Sequence, residues 1–325
     1  MRPKRSRCMI SRRTLLIGAL GCVAVGIRPT ALGARDSVQL VLVHGRAQQN
    51  LDPNELKSNW LDALRRGAEK QGRMLPDTLS VAFPYYGDTL DRFARDFDIP
   101  LTSEVKTRGE VNDEFLVFQA EIAEAVRQRS GVTDAQVDAE YGSNPKPKGP
   151  LNWEWVQAIL RALDKYAGGM NQTALETFTR DVFLYTTREG VRDEINRIVA
   201  SALTEQPTVV VGHSLGSVVA YSVLRSDSRS LRIPLFLTVG CPLGVRPIRD
   251  QFRPLRFPLP VKAWFNAFDT RDVVALYPLD KLNFPVTPEI ENYSEVKNST
   301  DNRHGIASYL DDSQVAKRLL DALGV

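Results

Sequence analysis

From residue 38 onward the chain alternates between short apolar runs and stretches in which apolar positions recur every three or four residues. Residues 38–43 (Val38-Gln39-Leu40-Val41-Leu42-Val43) form a nearly continuous run that ends at His44-Gly45, the pattern of a strand buried on both faces. Leu56, Trp60, Leu64 and Ala68 follow at helical spacing, with Gly72 as a stop, and residues 78–83 read as a second strand closed by Pro84. Strand, helix, strand is the opening of a parallel sheet.

Almost a hundred residues then pass before the next clear strand, too many for a structureless loop. Two helical patterns occupy the interval, one on Phe115, Phe118, Ile122 and Val126, the other on Trp153, Val156, Leu160 and Leu163. Between them the Pro- and Gly-rich stretch 141–150 suits neither helix nor strand. Residues 88–180 are therefore expected to form a helical cap inserted into the sheet domain; ordinary packing layers are the alternative. Alternation resumes with a helix on Val191, Ile195, Ile198, Val199 and Ala202, a strand at 208–211 and a helix at 217–225. Further strands are expected at 235–239, 261–268 and 293–297, and Val315, Leu319 and Leu323 mark a closing helix. The pattern predicts an α/β fold with a mostly parallel central sheet flanked by helices.

Composition agrees with a globular chain: of 325 residues, 43% are hydrophobic and 25% charged. The net charge of +3 is concentrated at one end. Residues 1–34 hold seven of the 42 Lys and Arg and no acid, so the remaining 35 face 39 Asp and Glu, a net of −4. Nucleic-acid binding thereby loses its electrostatic basis. The basic start, the apolar run 15–27 and the small residues 31–34 read as an export signal, with 36–325 as the mature domain. Ser11-Arg12-Arg13-Thr14-Leu15-Leu16 resembles the twin-arginine motif, without its usual Phe. A buried N-terminal helix, an uncleaved anchor, or lipidation at Cys22 in a Leu-Gly-Cys context are the other readings. Cys8 and Cys22 lie in this segment, leaving Cys241 alone in the domain and no internal disulfide.

The chemistry centres on Gly212-His213-Ser214-Leu215-Gly216, a G-x-S-x-G sequence between an apolar strand and an apolar helix. A serine hydroxyl needs a base to take its proton and a sharp turn to expose it, while the following helix aims its N-terminal N–H groups at developing negative charge. With this context the chain from residue 38 resembles the α/β-hydrolase superfamily of serine esterases and lipases. The resemblance implies a nucleophile at Ser214, an acid downstream and a histidine near the end. Only three histidines exist. His213 lies in the turn, His44 ends the first strand where the family carries His-Gly beside its oxyanion hole, and His304 stands in a polar loop before the last helix. His304 is thus the expected base.

Two carboxylates compete for the acid in Phe268-Asp269-Thr270-Arg271-Asp272-Val273-Val274-Ala275. Asp272 is preferred, because Asp272-Val273-Val274-Ala275 resembles an Asp-Pro-Val-Ala segment of lipases and phospholipases, with Val in place of Pro; Asp269 stays open. The resemblance also implies oxyanion donors at the backbone N–H groups of Leu215 and of Arg46 or Ala47. Arg46 is otherwise a rim charge or a site for an acidic substrate group. His44, Tyr85 and Tyr86, at the carboxyl ends of the first two strands, are candidate substrate contacts, and Trp153 and Trp155 are either core or an acyl lining. No metal-ligand spacing, phosphate loop or dinucleotide fingerprint occurs, so no metal or cofactor is expected. Cleavage of carboxylic esters through an acyl-enzyme is the leading expectation, with a small-molecule or lipid ester as partner, since residues 212–221 look like those of lipid-acting members. Contact with a membrane surface and the oligomeric state stay open. Amidase, thioesterase or acyltransferase chemistry at the same residues, or a non-catalytic binding scaffold, are the rivals.

Overall fold

The structure is a computed structural model that describes residues 38–325 except Asn144, Pro145 and Met170 and the side chain of Arg108. The expected export segment 1–34, with Cys8 and Cys22, lies outside the described residues. Six strands, β1 (Gln39–Val43), β2 (Val81–Ala82), β3 (Thr208–His213), β4 (Phe236–Val239), β5 (Trp264–Ala267) and β6 (Glu291–Tyr293), form one sheet in the order β2-β1-β3-β4-β5-β6. Every neighbouring pair is parallel. The chain leaves β1 toward β2 and returns on the other side as β3, so the sheet has a switch point outside the carboxyl ends of β1 and β3. Ligand crevices open at such points.

Both faces of the sheet are covered, as its near-continuous apolar strands require. Leu40, Leu42, Val209 and Val211 point to one side, against α1 (Pro53–Glu69) and the last helices, α10 (Ile306–Leu310) and α11 (Ser313–Leu323). Val41, Val43, Val210 and Phe236 point to the other, against α7 (Glu189–Ser201), α8 (Leu215–Ser226) and a five-helix insertion. The insertion comprises α2 (Gly87–Phe97), α3 (Asp113–Ser130), α4 (Asp134–Tyr141), α5 (Trp153–Tyr166) and α6 (Gln172–Thr187); a short α9 (Arg246–Arg249) follows β4. Several helices begin where an Asn or Asp side chain accepts an otherwise unpaired N–H: Asp52 at α1, Asn112 at α3, Asn152 at α5 and Asn171 at α6.

The structure departs from the sequence expectation in three respects. The strand expected at 78–83 pairs only at Val81–Ala82, because it is an edge strand whose first residues form a turn. The last strand lies at Glu291–Tyr293, not 293–297; the downstream residues instead bring Glu295 into an antiparallel bridge with Asp269. Five helices, not two, fill the insertion, and α6 runs beyond residue 180. Its helices share one apolar cluster with the sheet face, Leu116, Ile159 and Phe183 joining Val41, Val43 and Val210. No helix of the described residues is long and apolar enough to cross a membrane.

Candidate active site

Ser214 occupies the turn between β3 and α8 with φ 55° and ψ −129°, backbone angles that an L-residue adopts at a cost of about 1–3 kcal/mol. The surroundings enforce them. Its N–H donates to the Val239 carbonyl at 3.1 Å, its carbonyl accepts from the Ser217 N–H at 2.9 Å, and the Ser217 hydroxyl donates to the Gly212 carbonyl at 2.7 Å. Gly216 is required by close approach: a methyl there would lie 2.2 Å from the Val43 carbonyl oxygen and 2.3 Å from that of His44. The N–H groups of Leu215 and Gly216 belong to the first turn of α8, where a helix has no acceptor of its own.

His304 and Asp272 form a buried pair, with His304 Nδ1 donating to Asp272 Oδ2 at 2.7 Å. The same oxygen accepts the Tyr309 hydroxyl at 2.6 Å, and Asp272 Oδ1 accepts the Val274 N–H at 3.0 Å. Asp272 is completely buried, where unpaired carboxyl oxygens are costly, and these three donors supply its hydrogen bonds. With the Nδ1–H donating its hydrogen bond to Asp272, the lone pair of the neutral ring lies on His304 Nε2. Gly240, at φ 56°, brings the end of β4 against this pair; a methyl on it would lie 2.9 Å from the imidazole.

Asp269 does a different job. It accepts the Arg271 guanidinium at 2.8 and 3.0 Å, the Arg271 N–H at 2.8 Å and the Asn298 N–H at 2.8 Å. Burial pushes its carboxyl up, but these donors outweigh burial and hold it below the usual carboxylate range. Through Asn298, whose side-chain amide donates to the Gly305 carbonyl at 2.8 Å, Asp269 anchors the loop that carries His304. That settles which of the two carboxylates faces the imidazole.

Ser214 and His304 line one cavity of about 270 Å³, together with His44, Arg46, Ala47 and Gln48 of the loop after β1, Trp60 of α1, and Ala174 and Phe178 of α6. Ser214 Oγ is buried and makes no hydrogen bond, so it is not engaged by the imidazole in this structure. Arg46 and Ala47 line the same cavity as Ser214, Leu215 follows Ser214 as the first residue of α8, and Ala47 holds the left-handed φ of 59°.

The other predicted contacts fall differently. His44 lines the cavity as a neutral ring: burial lowers its pKa to about 4, Nδ1 donates to the Gly45 carbonyl at 2.7 Å, and Nε2 accepts the Tyr86 N–H at 3.0 Å. Tyr86 is fully buried, stacks on His44 and donates its hydroxyl to the His44 carbonyl. Tyr85 donates to the Gln48 carbonyl at 2.6 Å and to Asp88 at 2.8 Å. Both tyrosines therefore brace the 44–50 loop from outside the cavity. Arg46 is neither a free rim charge nor an open anion site: its Nε donates to Asp181 of α6 at 2.8 Å. Trp153 and Trp155 stand apart from the cavity, under Lys146 and Lys148, with Trp155 on the wall of a separate hollow of about 750 Å³.

Sequence reasoning gave no role to His213, Tyr309 or Asn298. His213 Nε2 donates to the His304 carbonyl at 2.8 Å, and burial, then the neighbouring His304, push its pKa well below the ordinary value. Its hydrogen bond ties the serine turn to the histidine loop. Its place inside the pentapeptide was the only signal available, whereas Tyr309 had none. Cys241 is buried, with a thiol raised to about 12 by desolvation, which makes it inert. Among the described residues no group of three or more His, Cys, Asp or Glu is placed to hold a metal ion.

Comparisons with protein-family models, with curated proteins and with solved structures find no match to this chain.

Proposed function

We propose that the chain is a serine hydrolase of the α/β-hydrolase type that cleaves carboxylic esters through an acyl-enzyme on Ser214. One observation carries the reading: a serine held at positive φ between strand and helix faces the same cavity as an imidazole whose other nitrogen is bound to a buried carboxylate. This is the division of labour that serine nucleophiles need.

In the proposed reaction a rotation of Ser214 about χ1 brings Oγ to His304 Nε2 once substrate fills the cavity, as catalytic hydrogen bonds often tighten only in the complex. Oγ attacks the ester carbonyl carbon, its proton passes to Nε2, and the C=O electrons move onto the oxygen. The N–H groups of Leu215 and of Arg46 or Ala47 receive that oxyanion, each donor being worth roughly 2.7 to 4 kcal/mol. Collapse expels the alcohol, which takes the proton from His304. Water then attacks the acyl-enzyme with His304 again as base, releasing the acid and restoring Ser214. Asp272 accepts the Nδ1–H throughout and favours the imidazolium without itself being protonated.

A fluorophosphonate probe and an ester panel test this. The wild type is expected to be labelled on Ser214 and to turn over esters; Ser214→Ala removes labelling, and Ser214→Ala and His304→Ala each lower turnover by about a million-fold, as groups acting as one unit do. Folded wild-type protein that neither labels nor hydrolyses esters, thioesters or amides would sink the proposal.

A further inference from the structure

We infer that the proposed esterase is built for short acyl groups, with Phe178 and Ala174 of α6 as the length gauge; this rests on the serine-hydrolase reading above. The first support is size. At about 30 Å³ per water-sized group, a cavity of about 270 Å³ takes roughly nine non-hydrogen atoms, below the usual range of ligand pockets. That is room for a scissile linkage and a few carbons, not for a fatty chain. The hollow of about 750 Å³ offers no extension, because it shares no lining residue with the catalytic cavity.

The second support is the way the roof is held. Ala174, Phe178 and Asp181 stand at i, i+4 and i+7, on one face of α6. Ala174 and Phe178 line one wall of the cavity, and Asp181 is pinned to Arg46 of the loop that follows β1. Before α6, the chain at Gly169 lies against the histidine loop: a methyl there would be 3.6 Å from the Asn302 carbonyl oxygen. Farther along, Val182, Phe183, Leu184 and Tyr185 are almost wholly buried, so α6 belongs to the core and is not a detachable flap. The cavity is open to solvent on another side, so a roof fixed to both loops limits how much of an acyl chain can be buried, and the rest of a long chain must pass out through the mouth into water. In this reading Phe178, buried in the cavity wall, is the side chain a longer acyl group would meet, and Ala174, half-buried, is the lining position where added bulk would shorten the space further.

The test is a chain-length series of p-nitrophenyl acetate, butyrate, octanoate and laurate on the purified protein, with Ser214→Ala as background and fluorophosphonate labelling of Ser214 measured alongside. Wild type is expected to prefer butyrate to laurate by about 100-fold in kcat/KM, the scale on which an apolar pocket discriminates size. Phe178→Leu, chosen over Ala because Phe178 also packs in the core, should reduce that preference about tenfold, and Ala174→Leu should shift the acetate-to-butyrate ratio about tenfold toward acetate. Asp181→Asn, which keeps the side-chain size and removes the pinning charge, should move the preference in the direction of Phe178→Leu. A wild type that labels on Ser214 yet cleaves octanoate and laurate as well as butyrate overturns the gauge and leaves the hydrolase reading standing. Unaltered chain-length profiles in folded Phe178→Leu and Ala174→Leu overturn it too, and loss of both labelling and hydrolysis overturns both readings.

Discussion

A histidine buried without a carboxylate must stay neutral, and two of the three histidines here are in that position. Burial lowers His44 to about 4, against about 6.5 for an exposed imidazole, and holds His213 well below its ordinary value. Because the folded pKa lies below the unfolded one, the unfolded chain binds the extra proton between those values. The stability that neutral His44 contributes is therefore complete above about pH 6.5 and is lost as pH falls from there toward 4, by roughly 3 kcal/mol at most. Asp181 works in the opposite sense, since burial raises its carboxyl against the pull of Arg46 and Arg180. A comparison of wild type with His44→Gln removes that background, because glutamine keeps an acceptor for the Tyr86 N–H but does not titrate. The urea midpoint of the wild type should drop more between pH 7 and pH 4.5 than that of His44→Gln; parallel drops would show that His44 is not held neutral. At this scale the sequence revealed Ser214 and His304 because the pentapeptide is specific and histidine is scarce. It preferred Asp272 on resemblance alone and left Asp269 open, since both follow one strand and the difference between them lies in Arg271 and the Asn298 N–H. The bracing by Tyr85, Tyr86, His213 and Tyr309 was hidden for a related reason. Much of it runs to backbone carbonyls and amides, which leave no trace in residue identity.

Elements were legible where burial is one-sided or strictly periodic, as in α1, α3, α5, α7 and α11, and the strands around the serine turn. Helix α6 was not, because nearly all of its second half is buried, so no polar stripe offsets an apolar one, and five threonines interrupt the run. Helices α2 and α4 were missed for the opposite reason: few of their residues are buried. The turn between β3 and α8 is the element on which the site depends, and its tolerance is fixed by the two carbonyls that Gly216 meets. The Val43 oxygen belongs to the last residue of β1, which is paired with β3, and the His44 oxygen that follows it accepts the Tyr86 hydroxyl, so neither can retreat freely. Gly216→Ala should consequently cost at least about 3 kcal/mol, the upper end for overpacking, and abolish labelling of Ser214. Thermal or urea unfolding reads the first and the fluorophosphonate probe the second. An alanine variant of near wild-type stability would mean that α8 can tilt away from β1, and that the turn is looser than its contacts imply.

For the molecule as a whole, the alternation of apolar runs and helical patterns was enough to foresee a parallel sheet covered on both faces, since few other arrangements bury such strands. What it left undecided was whether the helices between β2 and α7 form a separate cap or part of the main core. In the structure the described residues from 38 to 325 fall in a single compact unit, and the apolar cluster on one face of the sheet runs without a break into α3, α5 and α6. A shared core implies shared cooperativity: an insertion that buries its apolar surface against the sheet layer cannot unfold alone without exposing both partners. The four tryptophans make this measurable, because Trp153 and Trp155 lie in α5 whereas Trp60 and Trp264 lie in α1 and β5. Two double variants, Trp60→Phe with Trp264→Phe and Trp153→Phe with Trp155→Phe, leave fluorescence from one region at a time. In each variant the fluorescence transition in urea should coincide with the loss of helical circular dichroism. Were the α5 reporters to change at a lower denaturant concentration than the ellipticity, the insertion would be an independent unit able to lift from the sheet. The fixed roof over Ser214, and the short-acyl preference that follows from it, would then lose their physical basis.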